Sequence, residues 1–297
     1  MRAVWSFWSK PFRAHHAGVW LTESHHLLAW VLSVETAKRH YETTTLVTDR
    51  WGWHLLVEYL GLQFTSVSTE LESLGGADPE WWVLGKLWTY RLQTEPFVHL
   101  DNDVFLWQRL PRRVECADVF AQNPECFSFT GESWYRPDTF ARAIQSAHGW
   151  APDEWWWAAS HRIGEAACCG IVGGTAVHFL SYYADLAIRM IEHPGNRLAW
   201  ASLGGHIGDN ILLEQYFLAA CVRFHKHHAH SSYHDLHVDY LFESDDEAFD
   251  ESAAARVGYT HLIGGAKSNR SLLERLAARV QRDYPDYYER CLRSPLA

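Results

Sequence analysis

No stretch of this 297-residue chain approaches the ~18–20 consecutive apolar residues that a membrane-spanning helix requires. The longest apolar run, around Leu27 to Val34, is flanked by His and Lys at helical spacing and predicts a buried helix. The opening, Met1-Arg2-Ala3-Val4-Trp5-Ser6, lacks the apolar core of a secretory signal. The six cysteines, Cys116, Cys126, Cys168, Cys169, Cys221 and Cys291, include no C-x-x-C pair and have no disulfide-like density. These absences predict a cytoplasmic protein in a reducing compartment, with no membrane span. Basic residues are outnumbered, 26 Lys and Arg against 36 Asp and Glu, and the net charge of -10 argues against a general nucleic-acid binder. A local basic pocket for a phosphate stays open. Repeats, low-complexity segments and Pro/Gly/Ser-rich linkers are missing too, so a single domain is expected. What the chain has in plenty is apolar side chain: 47% hydrophobic residues and 16 Trp, enough for a sizeable core.

The first half alternates two periodicities. Strands are predicted at Ala3 to Trp8, Thr43 to Thr48, Gln63 to Val67 and Phe97 to Leu100. Helices are predicted between them, at Ser24 to Tyr41, Gly52 to Leu60 and Pro79 to Thr94. This β-α-β-α-β-α-β order implies an α/β fold, Rossmann-like, with a mostly parallel central sheet flanked by helices. The second half is less regular. Strands are expected at Glu125 to Thr130, Cys168 to Gly174 and Gly258 to Gly265. Helices are expected at Ala176 to Glu192, Asp209 to Cys221 and Ser271 to Asp283, with an acidic loop at Glu243 to Glu251.

The chemistry concentrates where this architecture puts ligands, beyond the carboxyl ends of the strands. Pro96-Phe97-Val98-His99-Leu100-Asp101-Asn102-Asp103-Val104-Phe105 delivers two carboxylates one residue apart after an apolar run. In extended chain, residues i and i+2 point the same way. Two adjacent anions are costly unless a cation sits between them, and hard oxygen ligands suit Mg²⁺ or Mn²⁺. A capped turn after a buried strand is the plainer reading. Far downstream lies Thr260-His261-Leu262-Ile263-Gly264-Gly265-Ala266-Lys267. His261 is either a structural histidine or, with Asp101 and Asp103, the third ligand of one divalent ion. Gly264 permits close backbone approach to a bulky ligand, and Lys267 offers a mobile charge for a phosphate.

Asp101-Asn102-Asp103 followed by His261, Gly264 and Lys267 resembles the D-x-D and late H-x-x-G-x-x-K motifs of the GT-A glycosyltransferases, particularly the family 8 group. The resemblance extends in motif order and in the N-terminal β/α half over most of the chain. It implies a GT-A-like fold with a nucleotide-binding half at about 1–125 and a sugar and acceptor half at about 126–297. It implies metal-dependent transfer of a sugar from a nucleotide-sugar donor, a UDP-sugar in particular, to an unknown acceptor. Asp101, Asp103 and His261 would hold Mn²⁺ or Mg²⁺, and Lys267 would contact the donor diphosphate. Asp209-Asn210 is similar to the Asp-Gln that opens a helix beside the transferred sugar in that family. This chain departs from the family at Cys169, where Asn is frequent, at Asn210, and at Ser268-Asn269, where Pro-Trp is frequent.

Nucleotide contacts are expected from Trp5, Ser6 and Asn102. Asp49 either accepts hydrogen bonds from ribose or base or caps the following helix. Lys86 either reaches a phosphate or is a solvated helix lysine. Two rival functions use the same residues: a haloacid-dehalogenase-type phosphatase acting through Asp101 and Asp103, and a nucleotide-sugar-binding protein without turnover. Two further clusters stand apart. His225, His227, His228, His230, His234 and His237 fit no zinc-finger or H-E-x-x-H spacing and read as an exposed strand and loop. Trp155-Trp156-Trp157 reads as core packing or as an acceptor platform.

Overall fold

A computed structural model describes residues 1–14, 20–129 and 133–294. Among these are eleven strands: β1 (Arg2–Phe7), β2 (Thr44–Thr48), β3 (Ser66–Ser68), β4 (Phe97–Leu100), β5 (Val104–Leu106), β6 (Val119–Ala121), β7 (Pro124–Cys126), β8 (Glu165–Ala167), β9 (Ile171–Gly174), β10 (Val238–Tyr240) and β11 (Tyr259–His261). The chain folds into two compact units. The first gathers Met1–Gly76, Val98–Pro111 and the segment from Phe249 onward; the second gathers Ala77–Phe97 and Arg112–Ala248. Among the described residues no helix is long and apolar enough to cross a membrane.

In the first unit the strands run in the order β4-β1-β2-β3, with β1 parallel to β2 and β2 parallel to β3. All five residues of β2 are buried, as expected of a parallel strand covered on both faces. The crossover helix Glu23–Ala37 starts where the Thr22 hydroxyl accepts a hydrogen bond from the His25 backbone. Its residues from His26 to Val34 are buried all round, the signature of a core helix rather than an amphipathic one. The surface helix Arg270–Asp283 buries only Leu273, Leu276 and Val280, spaced three and four apart. β5 pairs antiparallel with β11 as a separate ribbon that aligns Val104 with His261.

In the second unit β6 pairs parallel with β10 and antiparallel with β9, while β7 and β8 form a two-stranded ribbon. The expected strand at Glu125 to Thr130 is shorter, ending at Cys126, and its last residue lies outside the described residues. β9 ends in two glycines because other backbones occupy the Cβ positions. At Gly173 a Cβ would land on the Phe97 carbonyl, with the carbonyl carbon 2.9 Å away.

Two expectations are corrected here. The histidine-rich stretch is an exposed loop only in part: His228, His230 and His237 are exposed and outside any strand, but His225 and His227 end the helix Phe217–His227. His225 is buried, its Nδ1 2.7 Å from Ser231 Oγ and its Nε2 3.6 Å from Glu154. The acidic segment is not a loop throughout. Asp245–Ala248 is helical, and Asp250 caps the helix Glu251–Val257 through the Ala253 backbone. Carboxylates at helix starts meet unpaired N–H groups, which explains the local helicity.

Gly173→Ala is expected to lower stability by at least ~2 kcal/mol, because the new methyl meets backbone that cannot swing aside. An unchanged urea midpoint would contradict the packing described for β9.

Candidate functional site

Asp101, Asp103 and His261 converge in the first unit. One potential ligand atom from each lies within 4.8 Å of the others. The route differs from the extended geometry expected. Asp101-Asn102-Asp103 is a tight turn between β4 and β5, closed by Val104 N–H donating to the Asp101 carbonyl at 3.0 Å. The turn, not strand alternation, gathers the two carboxylates. The β5–β11 register then sets His261 beside them, and Leu262 N–H donates to the Asp103 carbonyl at 3.0 Å.

Asp103 is 1% exposed. Its Oδ2 faces the Lys267 ammonium at 2.7 Å and His261 Nε2 at 3.5 Å. Burial alone would push this carboxyl up, but the neighbouring Lys267 and His261 outweigh it and hold the group below the usual carboxylate range. Lys267 stands on a short 3-10 turn, Gly264–Ser268. Gly264 has φ +51°, the left-handed region where glycine is unstrained. The Lys267 carbonyl accepts Leu21 N–H at 3.1 Å, and its ammonium lies 5.9 Å from the Trp20 ring.

The donor set suits a divalent cation: two carboxylates and one imidazole, the mixture that Mg²⁺ and Mn²⁺ accept. Asn102 Nδ2 is a buried donor with no hydrogen-bond partner among the described residues. It marks a place beside the carboxylates where a ligand's acceptor oxygen would be welcome. The residues therefore fit the ion.

The remaining candidates take other places. Trp5 is fully buried and its indole N–H donates to Ser33 Oγ at 3.0 Å, so it does not present a face for a nucleotide. Ser33 Oγ in turn donates to the Asp101 carbonyl at 3.2 Å. Ser6 Oγ is bonded to His99 Nε2 at 3.0 Å, and His99 Nδ1 lies 3.8 Å from Asp101. Trp5 and Ser6 thus hold the end of β4 from behind. Asp49 forms the cap: Oδ1 accepts Gly52 N–H at 2.8 Å, and Oδ2 accepts the backbone and hydroxyl of Ser9 at 2.8 and 2.7 Å.

Three candidates lie in the second unit. Lys86 is neither solvated nor free. Its ammonium is buried against Glu214 at 2.7 Å and donates to the Cys169 carbonyl at 3.2 Å. Asn210 is fully buried with its amide spent on backbone, accepting Val83 N–H and donating to the Glu80 and His206 carbonyls. Asp209 faces His206 Nδ1 at 3.4 Å.

Ser33, His99 and His26 were not singled out in the sequence. His99 had a signal, a polar residue two before Asp101 in an otherwise apolar strand. Ser33 and His26 had none, since their role comes from where the core helix lands. His26 is 6% exposed, stacks on Phe12 at 4.7 Å, and accepts the Trp30 indole N–H at 3.2 Å. Burial, reinforced by the Lys267 charge and opposed by Asp103, pulls it down to about 3.

The described residues thus form an α/β chain with an Asp-Asp-His cluster beside a lysine. The chain belongs to DUF6734, a family of unknown function, matched over residues 1–294. No curated protein matches it.

Two outcomes follow. Below pH 6.5 the unfolded chain protonates His26 while the folded protein does not. Its contribution is therefore present above pH 6.5 and lost as pH falls toward 3, at up to ~1.4 kcal/mol per pH unit. His26→Phe should flatten that part of the stability profile measured by urea unfolding between pH 6.5 and 4. An unchanged slope would place the proton uptake elsewhere. Lys86→Met strands the Glu214 carboxylate and should cost ~3–5 kcal/mol, and adding Glu214→Leu should recover most of it. A double variant no better than Lys86→Met would refute the pairing.

Proposed function

We propose that the protein is a metal-dependent glycosyltransferase that moves a sugar from a nucleotide-sugar donor, a UDP-sugar in the first instance, to a separate acceptor. The single observation behind this reading is the convergence of Asp101, Asp103 and His261 within 4.8 Å, with Lys267 2.7 Å from Asp103. Asp101, Asp103 and His261 would hold Mn²⁺ or Mg²⁺. A divalent ion bound there supplies fixed positive charge where a diphosphate leaving group becomes more negative. Lys267 brings a second cation to the same point, able to turn from Asp103 toward a phosphate oxygen when the metal balances the carboxylate. Asn102 offers its unpaired amide as a hydrogen-bond donor to the donor nucleotide. The ties from Trp5 through Ser33 and from Ser6 through His99 keep the strand end rigid, so the carboxylates need little reorganisation.

The test is a thermal-shift panel of UDP, GDP and UDP-sugars with and without Mn²⁺, paired with a donor-hydrolysis assay. UDP with Mn²⁺ at about 100 times its dissociation constant should stabilise the fold by ~2.7 kcal/mol, a rise of a few degrees. Asp103→Asn and His261→Ala should abolish the Mn²⁺-dependent part and reduce hydrolysis at least 100-fold. Silence with every nucleotide would overturn the proposal. Turnover of a simple phosphomonoester without any response to nucleotide sugars would favour a phosphatase instead.

A further inference from the structure

The three consecutive tryptophans lie on the helix Asp153–Ser160 of the second unit, and successive residues on a helix point about 100° apart. Trp155 is fully buried against Phe140, Tyr216 and Phe217. Trp157 packs on His161, Phe224 and His227. Trp156 has neither a ring partner nor a hydrogen-bond partner for its indole among the described residues. It lines a cleft of about 320 Å³ with Asp138, Arg142 and Gln145.

Those three polar residues belong to the helix Pro137–Ser146, whose opposite side buries Phe140 and Ile144, while Ala141 lies on the floor of the cleft between them. Positions 138, 142 and 145 are spaced four and three apart, so they form one stripe on one helix face. Ala159 and Ser160, three and four residues after Trp156, are small and leave the indole uncrowded. The polar groups retain unused capacity. The Gln145 amide has no partner among the described residues. Among the described residues Arg142 reaches only Thr139 Oγ1, at 3.3 Å, and Asp138 has Arg162 at 3.7 Å.

This chemistry is selective. An anion would meet the Asp138 carboxylate and a cation the Arg142 guanidinium. A purely apolar ligand would desolvate both charges without replacing their hydrogen bonds. A ligand that satisfies all three needs hydroxyls that donate and accept along one edge, and a face of C–H groups to lie on the electron-rich indole. A pyranose ring has both. The cleft sits at the low end of the ~300–1,000 Å³ range of ligand sites, which suits one sugar unit. We propose that this cleft is a carbohydrate-binding subsite for a neutral pyranose, stacked on Trp156 and held by Asp138, Arg142 and Gln145. The subsite belongs to the second unit alone and stands whether or not the first unit transfers sugar.

The full chain, ¹⁵N-labelled, is titrated with methyl glucopyranoside, methyl galactopyranoside, maltotriose and cellotriose in the absence of nucleotide and metal. The Trp156 indole resonance is identified by its loss in Trp156→Phe. Displacement of that resonance by at least one sugar, with saturation transfer to the ring C–H protons, is expected. Affinity should fall at least tenfold in Trp156→Ala and severalfold in Gln145→Ala, both with unchanged melting temperature because these side chains are not core. No displacement by any of the four sugars, or equal affinity in Trp156→Ala, overturns the subsite. Donor hydrolysis is read separately on the same preparation supplied with UDP-sugars and Mn²⁺, so sugar binding without hydrolysis would sink the transferase reading and leave this one intact.

Discussion

A carboxylate at 1% exposure is an expensive object, and the first unit is arranged around making Asp103 tolerable. An isolated buried anion costs several kcal/mol even after relaxation, and removal of its partner is correspondingly destabilising. The compensation comes from a distant part of the chain. Lys267 arrives on a turn that only glycine at 264 forms without strain, and His261 is delivered by the β5–β11 register. The charge of one side chain therefore fastens the segment after residue 249 to the end of the parallel strands. The same fastening assembles three ligand-type side chains at one point. Structural need and chemical opportunity coincide there.

The second unit treats its own buried charge differently. Glu214 is completely enclosed, yet it meets Lys86 and the Tyr90 hydroxyl, while Tyr183 closes on its carbonyl. It sits on a π-helical turn, Leu212–Tyr216, inserted between two α-helical stretches. Such wide turns displace a side chain from its regular helical direction. Asn210, one turn earlier, anchors that helix to the backbone of Glu80 and Val83. Lys86, Tyr90 and Asn210 all find their partners within their own unit, and they read as architecture.

Much of the fold was legible because it rests on local periodicity. The strands around Val4, Leu46 and Val98, and the helix around Trp30, carry patterns that survive without tertiary context. What escaped was set by context. β5, β6, β8 and β10 have three residues each, too short for their period to stand out. His225 looked like part of a polar run and is buried, because helix geometry turns it inward while His227 faces out. At the site, spacing was informative for Asp101, Asp103, His261 and Lys267, since residue type and order alone limit what they can do. It misled for Trp5, Ser6 and Lys86, whose polar atoms are consumed by Ser33, His99 and Glu214. A sequence shows that a group exists, but whether a partner has already claimed it depends on packing.

The first unit is stitched from three separated stretches, the last beginning at Phe249, while the second is contained within residues 77–248. During synthesis the ribosome must release the whole of the second unit before the strand that carries His261 emerges. Domains commonly fold as they appear, at ~5–20 residues per second. The nascent chain therefore spends several seconds or more with Asp101 and Asp103 made and their counter-cation still untranslated. Electrostatic closure is among the last events in the life of the newborn polypeptide, and a ribosome stalled shortly before codon 261 would leave two acidic groups with no lysine to answer them.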